Sequence, residues 1–422
     1  MGRRMNINYS KLCLLILATT VTYNEYLSYW VSSMSWASLP VLNTNPQSQI
    51  NILMVADPQI VGNIHEPEGP LGWIYRLDCD RYCKHLTSLF LNLIKHFFIR
   101  YLSKTYQWAL SSYDINTVVF MGDLIDEGSE SDDEQFAAYA ERFHGVYPSK
   151  EGVQMIYIPG DNDIGGEGVD PVTINKMDRF DKHFGPVRAV HAASDNVDIV
   201  PVSRLTEHGV YNLTLKPSQL YTTKIVLAVS HVPVLPLNGK FSERVMNLVN
   251  PDIIFSAHDH QGYLFTADRE SRHMKVRAII IVSRNNINKT NSVEGDIRRF
   301  SKADTRPVEV HTRTSVQAED AELGVGRLTE DVMEVVVPTT SYRMGVPNMG
   351  LGLVTVSNQG DMFYINLWQP SRFSLLYTYG ACGVVLVVIM VIGKLLDLKR
   401  LFRRKQEFSS DARKRFDAIL KL

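Results

Sequence analysis

Two histidines flank one aspartate in His258-Asp259-His260, directly after the apolar run DIIFSA (252–257). Alternate residues of an extended segment project to one side, so both imidazoles can face one ion. Four other apolar runs end in polar, ligand-type residues. QINILMVA (49–56) leads into Asp57-Pro58-Gln59, and TVVFMG (117–122) into Asp123, followed by Asp126, Glu127 and Gly128. VQMIYIP (153–159) leads into Gly160-Asp161-Asn162-Asp163, and KIVLAVS (224–230) into His231-Val232-Pro233. Singly, an Asp-Gly after a strand is usually a turn, and a lone histidine is usually a satisfied core or surface residue. Five such ends in order point elsewhere. Carboxylates and imidazoles gathered in one crevice repel and desolvate one another unless cations sit among them. A pair of divalent ions removes that conflict and brings hydrolytic chemistry with it.

The runs themselves are rich in β-branched residues and continuously apolar, as strands covered on both faces are. Helical spacing separates the first three, in WIYRLDCDRYCKHLTSLFLNLIKHF (73–97) and EQFAAYAERF (134–143). Strands alternating with helices predict an α/β fold with a mainly parallel sheet. In such a sheet the ligand crevice lies outside the carboxyl ends of the strands. VRAIIIVS (276–283), MEVVVP (333–338), LGLVTVS (351–357) and MFYINLW (362–368) are expected as strands of a second sheet. Residues 285–330 are polar and patternless, and are expected to be a disordered insertion.

The ends of the chain have a different character. Residues 373–392 carry no charge over twenty positions, the length that crosses a bilayer of roughly 30 Å. The basic KLLDLKRLFRRKQ (394–406) follows and places that side in the cytosol. Arg3, Arg4 and Lys11 precede LCLLILATTVTY (12–23). An uncleaved anchor over 12–36 is expected, with a cleaved signal peptide as the alternative. The resulting layout is a cytosolic 1–11, a span over 12–36, a lumenal domain over 37–370, a span over 372–393 and a cytosolic 394–422. Asn212 and Asn288 would then be glycosylation acceptors. A net charge of −1 and the lack of a basic stripe with interleaved aromatics argue against a nucleic-acid partner. Four cysteines, at 13, 79, 83 and 382, imply no disulfide framework.

The ordered set resembles the calcineurin-like metallophosphoesterase superfamily, whose pattern is D-x-H, G-D-x-x-D, G-N-H-[DE], [GS]-H-x-P and G-H-x-H. The resemblance covers roughly residues 50–265. DPQI, GDLIDEG and VPTTSYRMG (337–345), with an anchor at each end, further resemble the branch of metallophosphoesterase 1 and the fungal Cdc1-type proteins. In that branch the animal enzyme removes a side-branch ethanolamine phosphate from the GPI glycan.

The resemblance implies a four-layer α/β/β/α sandwich, here flanked by two transmembrane helices, and two divalent metal ions. By it Asp57, Gln59, Asp123 and His260 would hold one ion, and Asp123, Asp161, His231 and His258 the other. It implies a membrane-anchored phosphodiesterase of the early secretory pathway, from ER exit sites to the cis-Golgi, aiding ER-to-Golgi transport. Attack would come from a metal-bridging hydroxide. GPI-anchored proteins or the GPI glycolipid would be the substrate, met at the lipid bilayer.

The chain departs from the pattern in ways that matter chemically. Gln59 replaces a His and Asp161 an Asn, which moves the donor set toward oxygen and makes Mn²⁺ the expected metal. Asn162 stands where the family has the histidine that protonates the leaving group. Asp163 stands where the family has the acid that orients it. These two are the candidate catalytic positions. An amide donates no proton at a useful pKa, so proton donation is expected to suffer. His65 is a candidate replacement acid. Asp126-Glu127 stands where phosphoprotein phosphatases carry an Arg, and a carboxylate there disfavours a dianionic monoester. Two other functions remain open: a weakened metal-binding module that recognises GPI-anchored cargo, and a metallophosphoesterase for another head group.

Overall fold

The computed structural model describes residues 9–36, 49–62, 101–206 except 188, 225–268 except 238, 276–278, 298–299, 308–310, 331–357 and 362–419. The chain divides into two units, Tyr29–Ser371 and the terminal pair Met1–Ser28 with Arg372–Leu422.

In the larger unit, β1 (Gln49–Val55), β2 (Thr117–Met121) and β3 (Gln154–Ile158) pair in parallel. The helix Asp133–Val146 connects β2 to β3 and starts on a capping box, with Asp132 and Gln135 bonding each other's backbone N–H. In the second sheet β5 (Val197–Pro201), β6 (Ile225–Val229) and β7 (Ile253–Ser256) pair in parallel, and β12 (Asp331–Val336) pairs in parallel with β7. β4 (His191–Ser194), β8 (Tyr263–Asp268), β9 (Val276–Ala278) and β10 (Arg298–Arg299) complete that sheet with antiparallel pairs.

Both sheets are mixed rather than mainly parallel. MEVVVP falls in β12 as expected, but LGLVTVS and MFYINLW do not join the second sheet. They form β13 (Gly350–Ser357) and β14 (Met362–Trp368), antiparallel additions to the first, in the order β11-β14-β13-β1-β2-β3 with β11 at Val308–Val310. The physical reason is the open edge of β1. Its second row of backbone N–H and C=O groups needs a partner, and β13 supplies it from Gln49↔Ser357 to Met54↔Gly352.

Strict side-chain alternation builds the core. Ile52, Met54, Val119, Met121, Ile156 and Ile158 of the first sheet meet Ile199, Leu227, Val229, Ile253, Phe255 and Val335 of the second. The opposite face of the first sheet buries Phe120 against Tyr106, Phe143 and Tyr147. The opposite face of the second packs Val226, Ala228 and Ile254 on Phe241, Val245 and Val249. Helices thus cover both outer faces of an α/β sandwich. The expected helix at 73–97, His65, Cys79, Cys83 and both glycosylation acceptors lie outside the described residues. Within 285–330, residues 298–299 and 308–310 are strand, and the rest also lies outside.

In the terminal unit, Arg372–Ile419 is one helix, and its stretch Arg372–Gln406 is long and apolar enough to cross a membrane. Among the described residues it alone qualifies, so one of the two expected flanking membrane helices is found. The N-terminal stretch is α-helical over Tyr9–Thr22 and Ser28–Met34, with a π turn at Tyr23–Leu27 between them. Asn24 and Glu25 explain the interruption, because both are buried and polar. Asn24 Nδ2 donates to Leu375 O at 2.9 Å and Tyr379 OH to Glu25 Oε1 at 2.6 Å. Arg372 Nη1 lies 3.6 Å from Glu25 Oε1. Removing one member of such a buried pair strands the other charge, at a cost of about 3–5 kcal/mol. Arg372→Met is therefore expected to lower the thermal midpoint of the full chain in detergent. Glu25→Gln/Arg372→Met together should recover most of that loss.

Candidate metal centre

The carboxyl ends of β1, β2, β3, β6 and β7 lie together at one end of the sandwich. Asp57 and Gln59 follow β1, Asp123 follows β2, Asp161 follows β3, His231 follows β6, and His258 and His260 follow β7. The ligand atoms of Asp161, His231 and His258 lie within 4.8 Å of one another, as do those of Asp57, Asp123 and His260. Asp123 touches both groups, with its Oδ1 3.3 Å from His231 Nε2. His231 Nε2 is also 2.9 Å from Asp161 Oδ1, and His258 Nδ1 is 3.2 Å from the same oxygen. The other ring nitrogen of His231 bonds Met121 O at 2.9 Å. That bond turns Nε2 toward the carboxylates.

Backbone strain marks the same residues. Six described non-glycine residues have positive φ, and five of them are Asp57, Gln59, Asp123, His258 and His260, between 46° and 68°. Each such conformation costs on the order of 1–3 kcal/mol and persists only when its surroundings enforce it. Here cross-loop bonds do so. Gln59 N donates to Asp123 O at 2.8 Å, Ala257 N to His231 O at 2.8 Å and His258 N to Asp57 Oδ1 at 3.2 Å. Thr339 holds both ends of the site, with Oγ1 donating to Asp57 O at 3.0 Å and N to His260 O at 3.3 Å.

Gly160 shows how tightly the loops meet. A Cβ there would lie 2.1 Å from Asp123 Oδ1. Gly160→Ala is expected to cost about 1–3 kcal/mol and to weaken cation affinity, read by thermal unfolding and Mn²⁺ titration.

The donor set suits cations. Asp57 is fully buried, and its Oδ2 has no hydrogen-bond partner. Burial pushes the Asp57 carboxyl up to about 7, and burial also raises Asp123. Burial opposes ionisation of Asp161 too, but hydrogen bonds from His231 and His258 outweigh it and hold that carboxyl well below the usual range. His231 loses proton affinity through burial, yet Asp123, Asp161 and Asp57 together push it up to about 10. Burial, then repulsion from His258 and His231, lowers His260 to about 4. A proton on His231 is the charge that a cation would replace.

The sign follows from these values. A cation must displace the proton from His231 below pH 10 and from Asp57 below pH 7, and with them the proton on His258, which its hydrogen bond to Asp161 holds more firmly than usual. Mn²⁺ binding is expected to release protons, more of them at pH 6 than at pH 8, with affinity rising as pH rises. Calorimetry in buffers of different ionisation enthalpy measures this.

Gln59 donates Nε2 to Asp123 Oδ2 at 3.0 Å and sits 3.5 Å from His260 Nε2. Rotating its terminal amide presents the oxygen to the same point. Asn162 also faces Asp123, with Nδ2 2.9 Å from Oδ2 and N 3.1 Å from Oδ1.

Asp163 does not orient residue 162. Both its oxygens accept backbone N–H groups, from Gly160 at 2.8 Å, Leu124 at 3.1 Å and Ile125 at 2.9 Å. It is a buried clamp between the loops after β2 and β3, and burial, then Asp123, push it up to about 8.

Asp126 differs from expectation as well. Arg343 Nη2 pairs with it at 2.9 Å, and Arg343 Nη1 donates to Gln59 O at 3.3 Å. The charge that was to repel a monoester is thereby neutralised. Arg343, Thr339 and Thr340 are the residues that motif reading left without roles. VPTTSYRMG already flagged them, and the structure places that segment against the loop after β1, where Thr340 Oγ1 donates to Ala56 O at 3.2 Å.

A family model described as calcineurin-like phosphoesterase matches residues 50–262, half of the chain. Cell division control protein 1 of Saccharomyces cerevisiae is 22% identical over 244 residues, which cover 49% of this chain and 46% of that protein. The match thus spans less than half of that relative. A purple acid phosphatase from yellow lupin seeds, PPD1, is similar over 76% of this chain and 52% of its own, with TM-score 0.38 and 10% identity.

Proposed function

We propose that this chain, which belongs to the calcineurin-like phosphoesterase family, is a membrane-anchored, dinuclear-metal phosphodiesterase. The observation that carries the reading is the convergence of donors from five strand ends on two clusters that Asp123 joins. Asp57, Gln59, Asp123 and His260 would hold one ion, and Asp123, Asp161, His231 and His258 the other, with Mn²⁺ favoured by the oxygen-rich set. When bound, two such ions supply Lewis-acid polarisation of phosphoryl oxygens and a water acidified to near neutrality. The chain's own residues hold the geometry. Asp163 and Thr339 fix the loops, Met121 O fixes the tautomer of His231, and Asn162 offers an N–H donor at the mouth.

A diester suits the charges better than a monoester. Arg343 is tied to Asp126, Arg204 to the carbonyls of Val234 and Leu237, and Lys176 to Asp170. Among the described residues these cations are committed, and a dianion gains most from an uncommitted one.

The helix Arg372–Ile419 and the polar lock on the N-terminal segment support a domain held at a bilayer, with residues 37–370 lumenal. The proposed substrate is a side-branch ethanolamine phosphate on a GPI glycan in the early secretory pathway. The full chain in detergent should hydrolyse bis(4-nitrophenyl) phosphate with Mn²⁺, and cells lacking it should retain extra ethanolamine phosphate on GPI. Unchanged glycans together with no turnover would reject the reading. Asn162 favours one alternative, a cargo-recognition module without catalysis. That reading holds if an Asp123→Asn chain restores GPI-protein transport as well as the wild type.

A further inference from the structure

Two contacts set how the helices of the terminal unit run. Asn24 Nδ2 donates to Leu375 O at 2.9 Å, and the Tyr9 ring lies so close to Gly393 that a Cβ there would be 3.2 Å from it. Tyr9–Thr22 and Arg372–Ile419 therefore lie antiparallel, with Tyr9 beside the basic end of the long helix. Between them runs a groove of about 890 Å³. Its two halves differ. Leu14, Leu17, Leu386 and Met390 line the half toward the middle of the apolar stretch, and Tyr9, Ser10, Lys394, Asp397 and Arg400 line the other. From Leu386 to Arg400 is about 21 Å along the helix, apolar at one end and charged at the other. The bare Gly393 backbone forms the floor between the halves, where a side chain would crowd Tyr9. Among the described residues Lys394 has no ion-pair partner, and Arg400 pairs only with Asp397, at 3.5 Å, with both side chains more than half exposed. A pair of that kind holds weakly, and a phosphate accepts a guanidinium through two parallel bonds.

We propose that this groove seats one anionic glycerophospholipid of the cytosolic leaflet, its phosphate between Lys394 and Arg400 and an acyl chain along Leu14, Leu17, Leu386 and Met390. The occupant follows from the polarity gradient and the charge. A free phosphate would leave the four apolar side chains uncovered, and a zwitterionic lipid would bring its own cation to Lys394 and Arg400. The stretch Arg372–Gln406 is long and apolar enough to cross a membrane. Lys394, Lys399, Arg400, Arg403, Arg404 and Lys405 follow its apolar part, the composition that faces an anionic leaflet. The concavity between two helices distinguishes this place from a flat helix face that bulk lipid covers. The proposal rests on the terminal unit crossing a bilayer and uses nothing of the metal centre.

The test reconstitutes the full chain in nanodiscs of phosphatidylcholine with phosphatidylserine and counts the lipid it retains by native mass spectrometry. One phosphatidylserine per chain is expected to survive, enriched about tenfold over its share of the disc. Lys394→Glu/Arg400→Glu should remove the enrichment. Met390→Trp, which fills the apolar half without changing charge, should weaken it as well. Lys399→Glu/Arg403→Glu changes as much charge on the same helix but off the groove, and should leave the enrichment intact. Equal loss in that control would mean a diffuse attraction to the basic stretch and overturn the proposal. Displacement by soluble glycerophosphoserine would also overturn it, because that marks an anion site without a chain. The intact mass shows whether residues 9–17 are present, and a chain that lacks them yet retains the lipid overturns the proposal too. A chain that does not enter the nanodisc refutes the membrane reading itself, whereas an inserted chain without enrichment refutes only the lipid site.

Discussion

Asp123→Asn is expected to abolish the proposed Mn²⁺-dependent hydrolysis and to remove the stabilisation that Mn²⁺ would give the folded chain. The expected loss in rate exceeds the ~10–100-fold that outer-sphere changes at metal sites already cost. Asp123 is buried, lies 3.3 Å from His231 Nε2 and accepts from Gln59 and Asn162 at 3.0 and 2.9 Å. An amide of the same shape removes the charge that joins the two clusters. It also turns a donor toward groups that are donors themselves.

The metal-free chain responds in the opposite sense. Burial and Asp161 disfavour the charge on Asp123, so the amide should stabilise the fold when no cation is present. Thermal unfolding with and without Mn²⁺ separates the two effects. A ligand at a hundred times its dissociation constant adds about 2.7 kcal/mol, and that increment should disappear in the variant. A retained Mn²⁺ shift with retained hydrolysis would show that these donors do not form the metal centre.

Asn162→His is expected to gain rate, and selectively. Asn162 is half-buried at the mouth, with Nδ2 already pointing at Asp123 Oδ2. An imidazole there can protonate a departing alkoxide, which the amide cannot. General acid help is typically worth about 10²–10⁴-fold. Alkyl esters should show it and nitrophenyl esters should not, because nitrophenolate leaves without a proton. The alkyl-ester profile should also acquire a falling limb above about pH 6.5–7, where an ordinary imidazole loses its proton. Equal effects on both ester types would mean that residue 162 acts through structure rather than proton transfer.

Motifs at strand ends were legible because they are local. A strand that stops on Gly-Asp or Ser-His carries its donors at a fixed offset from its last buried residue, and a parallel sheet aligns those offsets. Asp57, Asp123, Asp161, His231, His258 and His260 are candidate donors by this reading, and the structure gathers them in two groups, with Gln59 bonded to Asp123 beside them. Asp163 was misread because a carboxylate beside a ligand has two possible faces. Only the approach of Leu124 and Ile125 from another loop settles which one it uses. The pairing of Asp126 with Arg343, 217 residues apart, was illegible for the same reason.

Strand membership divides along the same line. Apolar alternation identified β13 and β14 as strands, but alternation does not say which edge a strand joins. The unpaired edge of β1 decided that. Composition marked 372–393 as able to cross a membrane, and the helix stretch that passes the same criterion is Arg372–Gln406; only the contacts of Asn24 and Glu25 show what accompanies the π turn in the N-terminal helix. The sequence by itself thus determined the candidate donors, since donor identity and strand-end position are properties of short segments. The tertiary structure decided which donors gather, which merely clamp a backbone and which charges cancel. Those outcomes depend on groups brought together from distant parts of the chain, and burial sets the energy of each meeting.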